Sequence, residues 1–120
     1  MKAKILYVDD EPINLQIFKL NFSRKYNVFT ANNGFEGLDL LSKELDILVI
    51  ISDMMMPGMN GLEFIKKAKA IYPDKRFCIL TGFEITKEIQ DAINTGLIIK
   101  YFSKPFDVKE IDETIIDVVE

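Results

Sequence analysis

The sequence predicts an α/β protein: a mostly parallel β-sheet with helices packed on both faces. Three observations predict it. Short apolar, β-branched runs alternate with longer amphipathic ones along the whole 120-residue chain, which is the pattern of repeated strand–helix units. The third apolar run, residues 47–51, is apolar at every position, as a strand covered on both faces must be. An aspartate, Asp53, ends that segment, and the loop Met54-Met55-Met56-Pro57-Gly58-Met59-Asn60-Gly61 follows at once. In open α/β sheets the carboxyl edge is where ligands bind.

Each element has its own local reason. Residues 4–8 form the first strand, closed by Asp9-Asp10-Glu11. Pro12 suits the first turn of a helix over 12–23. Ile13, Ile17 and Leu20, with Phe18 off-register, are expected on its sheet-facing side. Residues 27–30 read as a strand and 34–41 as a helix. The strand over 46–52 leads to Asn60, which suits the cap of a helix over 61–71. Residues 76–80 form the fourth strand, and a helix over 84–95 ends at Gly96. A strand over 98–102 and a helix over 107–119, capped by Asp107, complete the chain. Five such units imply right-handed crossovers. No internal repeat, low-complexity segment or linker interrupts them, so residues 1–120 read as one domain.

Composition narrows the function. The apolar fraction of 48% is that of a folded protein. No apolar run approaches the length of a membrane span. The N-terminus enters a strand with no signal-peptide pattern. Cys78 has no intramolecular partner and sits in an apolar run, so it reads as a buried core residue in a reducing cytoplasm. A net charge of −4 argues against direct nucleic-acid binding. The chain has no histidine, which excludes a histidine base, a histidine phosphodonor and a histidine-ligated metal. A bound metal should be hard and oxygen-ligated.

The strand ends carry the chemistry. If the first and third strands are neighbours, Asp9, Asp10 and Asp53 converge at one sheet edge. Taken alone, Asp9-Asp10-Glu11 is a loop with Asp10 or Glu11 favouring a helix N-terminus. A third strand-end carboxylate changes that reading, because packed carboxylates raise one another's pKa. Mg²⁺ relieves the repulsion and bridges to phosphate oxygens. Thr81 and Lys104 follow two further strands. Alone they are a turn residue ahead of Gly82 and a solvated lysine before Pro105. Together with the carboxylates they supply a hydroxyl and an ammonium, the set needed to phosphorylate an aspartate with a metal's help.

Four segments, one per strand end, resemble the response-regulator receiver (CheY-like) domains of bacterial two-component signalling. They are Val8-Asp9-Asp10-Glu11-Pro12, Asp53 with Met56-Pro57-Gly58-Met59-Asn60-Gly61, Leu80-Thr81-Gly82, and Lys104-Pro105-Phe106. The resemblance covers essentially the whole chain. It implies a flavodoxin-like (βα)5 three-layer sandwich with strand order 2-1-3-4-5. It makes Asp53 the phosphoacceptor and Lys104 the phosphate-contacting lysine. Asp10, Asp53 and the backbone carbonyl of Met55 would hold Mg²⁺, with Asp9 helping through water. Thr81 and Tyr101 would be the switch pair, and Met55 and Phe83 would tune self-dephosphorylation. The phosphoryl group would come from a phosphohistidine on a sensor histidine kinase or a histidine phosphotransfer protein. An output or kinase domain outside this chain is compatible with the resemblance. The segment 96–101 is one residue longer than the family's usual glycine-to-aromatic spacing, and the acidic last helix lacks arginine.

Two other functions stay open at this point. A Mg²⁺-dependent phosphatase with an aspartyl nucleophile also places aspartates at parallel strand ends. The haloacid-dehalogenase pattern, however, spaces its first-strand aspartates two apart, whereas Asp9 and Asp10 are adjacent. A phosphate-independent interaction module on the same fold fits less well, because every expected site residue is present.

Overall fold

A computed structural model of the chain describes residues 2–82 and 84–120. Five strands, β1 (Lys4–Val8), β2 (Asn27–Ala31), β3 (Val49–Asp53), β4 (Arg76–Thr81) and β5 (Lys100–Ser103), alternate with five helices. The helices are α1 (Pro12–Phe22), α2 (Gly34–Lys43), α3 (Gly61–Ile71), α4 (Lys87–Asn94) and α5 (Val108–Val119). All strand pairs are parallel, and the order is β2-β1-β3-β4-β5. This is the flavodoxin-like order. β1 and β3 are neighbours, with Val8 opposite Ser52, so Asp9 and Asp53 leave the same edge side by side.

Alternation along the strands builds two cores. Ile5, Tyr7, Val49, Ile51, Cys78 and Leu80 pack against α1 and α5. Leu6, Val8, Ile50, Phe77 and Ile79 pack against α2, α3 and α4. β3 is buried at every residue, the polar Ser52 and Asp53 included. Cys78 is buried as expected, and burial pushes its thiol up to about 12.

The first helix corrects the expected face. Ile13, Ile17 and Leu20 are 62%, 44% and 74% exposed. The residues that meet the sheet are Leu15, Phe18 and Phe22. Phe18 stacks on Tyr7 with ring centroids 4.3 Å apart and lies 4.5 Å from Phe22. The aromatic residues set the rotation of the helix because they bury the largest apolar area. The other apolar stripe is left on the surface. Pro12 stands in the first turn, but Glu11 makes no side-chain cap. Its backbone N–H instead donates to Asp9 Oδ1 at 3.0 Å.

Other caps follow the sequence. Asn60 and Glu63 form a reciprocal capping box on α3, Asp107 caps α5, and Gly96 takes a positive φ of 80° after α4. Three elements begin two or three residues later than expected. β3 starts at Val49, not 46, because the carbonyl of Ile47 accepts from Lys75 Nζ at 2.5 Å and that of Leu45 at 2.7 Å. α4 starts after Thr86, whose hydroxyl accepts from Ile89 N–H. β5 starts at Lys100 because Ile98 N–H is spent on the carbonyl of Ala92.

Candidate phosphoacceptor and metal site

Asp53 is the last residue of β3 and is 7% exposed. Gly61, at the start of α3, lies so close to its carbonyl oxygen that a Cβ there would collide with it and with Ile79. Gly61 N–H donates to the carbonyl of Met54 at 2.8 Å. The loop over 54–60 is thereby folded back over the strand end. It buries Met54, Met56 and Met59 and leaves Met55 57% exposed.

Asp9 is wholly buried and richly bonded. Its Oδ2 accepts from the Tyr7 hydroxyl at 2.6 Å, Asn14 Nδ2 at 3.2 Å and Lys104 Nζ at 3.1 Å. Lys104 also reaches Asp53 Oδ1 at 3.3 Å, so a single ammonium bridges two carboxylates. Its backbone N–H is tied to the carbonyl of Thr81 at 2.9 Å, which joins the ends of β4 and β5. Asp10 is exposed. One carboxylate oxygen from each of Asp9, Asp10 and Asp53 lies within 4.8 Å of the others. A cleft of about 290 Å³ over them is lined by Asp10, Glu11, Asn14, Asp53, Met55, Gly82 and Lys104.

The electrostatics follow from this crowding. Burial, and then the charge of Asp9, push the Asp53 carboxyl above its ordinary range, and Lys104 only partly opposes them. Burial pulls the Lys104 ammonium down, but Asp53 and Asp9 outweigh it and hold its pKa above the usual lysine value. Burial and the bond to Asp9 also raise the Tyr7 hydroxyl, so it is a neutral donor. The donor set is hard oxygen throughout, and clustered carboxylates of this kind fit a divalent cation such as Mg²⁺.

The structure brings together Asp9, Asp10, Asp53, Thr81 and Lys104 at adjacent strand ends. Thr81 is 1% exposed and ends β4. Tyr101 is half-buried on the edge strand β5, opposite Ile79 and packed on the core beneath α4. Phe83 lies outside the described residues. Tyr7 and Asn14 were not singled out by the sequence reading. The signal for Tyr7 was period two: it stands on the same strand face as Asp9.

The model of the response regulator receiver domain matches residues 5–116. The chain belongs to this family. Its members are phosphorylation-dependent switches of two-component systems, and the metal-dependent phosphatase alternative is not favoured. The receiver domain is 36% identical to sporulation initiation phosphotransferase F of Bacillus subtilis, over 96% of this chain and 92% of that protein. It is likewise 36% identical to a chemotaxis protein CheY homolog of Campylobacter jejuni, over 97% and 92%. Among solved structures it superimposes on the signal receiver domain of an HD domain-containing protein from Pseudomonas fluorescens. The TM-score there is 0.90 at 29% identity, over 99% of this chain and 95% of the other. Among the described residues, no helix is long and apolar enough to cross a membrane.

Proposed function

We propose that residues 1–120 form one phosphoacceptor domain. It takes a phosphoryl group onto Asp53 from a phosphohistidine on a sensor kinase or phosphotransfer protein. The carrying observation is the single ammonium of Lys104 held between Asp9 and Asp53 at 3.1 and 3.3 Å. Asp10, Asp53 and the Met55 backbone carbonyl would hold Mg²⁺, with Asp9 acting through water. The occupied oxygens of Asp9 support that division. Bound Mg²⁺ supplies charge neutralisation for the phosphoryl oxygens.

The chain's own groups do the rest. A carboxylate oxygen of Asp53 attacks phosphorus, an O–P bond forms, and the P–N bond to the donor imidazole breaks. The released nitrogen recovers a neutral imidazole lone pair. Lys104 turns from the carboxylates to the phosphoryl oxygens, and the Thr81 hydroxyl donates to them. Thr81 and Tyr101 then act as the switch pair. Displacement of Thr81 toward the phosphoryl group frees space for the Tyr101 ring, two residues away along the same face of the neighbouring strand. The domain is catalytic only toward its own phosphorylation and dephosphorylation. Its acidity supports a protein partner in the cytoplasm over nucleic acid or membrane. The receiver relative within an HD domain-containing protein supports an output or kinase domain covalently attached outside this chain.

The test is incubation with Mg²⁺ and acetyl phosphate, followed by mass spectrometry. One base-labile phosphoryl group on Asp53 is expected, with none on Asp53→Asn. Equal labelling of that variant overturns the assignment. Repeated turnover of a small phosphomonoester would restore the phosphatase reading.

A further inference from the structure

Tyr7 has one side-chain polar atom, and it lies inside the molecule against the site. The residue is 1% exposed. Its ring is fixed by the stack on Phe18, and its hydroxyl donates to Asp9 Oδ2 at 2.6 Å. Asn14 and Lys104 donate to the same oxygen at 3.2 and 3.1 Å, while Oδ1 takes the Glu11 N–H at 3.0 Å. A carboxylate oxygen offers about two lone-pair sites, so three donors on Oδ2 compete. The mobile competitor is Lys104, which has a flexible stem and a second carboxylate within reach. Tyr7 is held by strand and core.

We propose that Tyr7 is a positioning residue for phosphoryl transfer: its buried hydroxyl competes with Lys104 for Asp9 Oδ2 and keeps the ammonium free to turn to a phosphoryl group on Asp53. The inference rests on the reading of Asp53 as phosphoacceptor. When Lys104 turns away, Asp9 must not be stranded as a buried, unpaired charge, which is costly. Tyr7, Asn14 and the Glu11 N–H remain on it, so the cost of releasing Lys104 is low. Without the hydroxyl, Asp9 grips Lys104 harder. The ammonium then sits closer to Asp9 and farther from Asp53, which leaves Asp53 less quenched toward a divalent cation.

Tyr7→Phe keeps the ring, the stack and nearly all the volume, and removes only the donor. Two readouts then move in opposite senses. Mg²⁺ binding to the unphosphorylated chain, followed by calorimetry or by amide shifts in NMR, tightens severalfold. The rate constant for phosphorylation by acetyl phosphate, with each protein saturated with Mg²⁺, falls about tenfold, the scale of one hydrogen bond to a charged group. Asn14→Ala, a change at a half-buried helical position, moves both readouts in the same senses by smaller factors. A merely structural role for Tyr7 would weaken Mg²⁺ binding and slow phosphorylation together, and that result overturns the proposal. Variants that match wild type in both readouts overturn it as well. A wild-type chain that takes no phosphate on Asp53 overturns the functional reading itself, and this inference with it.

Discussion

The carboxylate of Asp112 accepts from the Tyr26 hydroxyl and from Lys25 Nζ at 2.9 Å, tying α5 to the turn between α1 and β2. The bond from the Tyr26 hydroxyl holds its pKa below the ordinary aspartate value; burial opposes this, and Lys25 adds a lesser pull in the same downward direction. A carboxylate depressed in the folded state adds stability above its unfolded pKa of about 3.9, and loses it as pH falls through the folded value. Asp112→Asn should therefore lower the melting temperature at pH 7 by an amount worth at most about 1 kcal/mol, since the pair is part exposed. The gap to wild type should close in melts recorded well below pH 4; a constant gap would show that the charge is not its source. At the site, exposed Met55 borders the cleft beside Asp53. It offers an attacking water no hydrogen bond, and hydrolysis needs that water held in line. Phosphorylated Met55→Asn should lose its phosphate severalfold faster than wild type in a simple decay assay. A slower or unchanged decay would remove Met55 from control of the lifetime.

The helix α1 carries two apolar stripes, and only one is buried. Phe18 is wholly buried, so Phe18→Ala should cost about 3–5 kcal/mol in urea unfolding. Leu20→Ser, at a position 74% exposed, should stay within about 0.5 kcal/mol. Comparable losses would contradict the helix rotation described above. The junction of β3 and α3 has the opposite character, with no space to spare. A Cβ at Gly61 meets the Asp53 carbonyl oxygen and Ile79. Gly61→Ala should destabilise by about 1–3 kcal/mol, the range for overpacking, and should slow phosphorylation because it pushes the strand end that holds Asp53. Wild-type stability in this variant would mean that the junction yields freely.

At the scale of the whole molecule, the site is a source of instability that a ligand removes. Three carboxylates share one sheet edge, and Asp53 is held above its ordinary pKa chiefly by burial. A cation that binds only the folded state stabilises it by mass action, by about 2.7 kcal/mol at a hundred times the dissociation constant. The melting temperature should rise steadily with millimolar Mg²⁺, and Asp10→Asn should blunt the rise while sparing the fold. A wild-type melt insensitive to Mg²⁺ would argue against the metal site. The same edge joins β1, β3, β4 and β5, so a phosphoryl group on Asp53 would act on Thr81 and Lys104 at two other strand ends.

The sequence by itself determined the alternation of strands and helices, the caps at Asn60 and Asp107, and the strand-end placement of Asp9, Asp53, Thr81 and Lys104. These are local signals: periodicity, turn chemistry and a charge at the end of an apolar run. Through its four motifs it also determined the family. Tertiary structure alone decided which stripe of α1 is buried, because the answer depends on which side chains find aromatic partners across the sheet. It decided that β3 begins at Val49, because Lys75, 28 residues after Ile47, claims that residue's carbonyl. It also decided that Asp9 is anchored by Tyr7 and Asn14 while Asp10 faces solvent. Adjacent aspartates look alike in a sequence; the turn of the chain just past the end of β1 sets one into the protein and the other out.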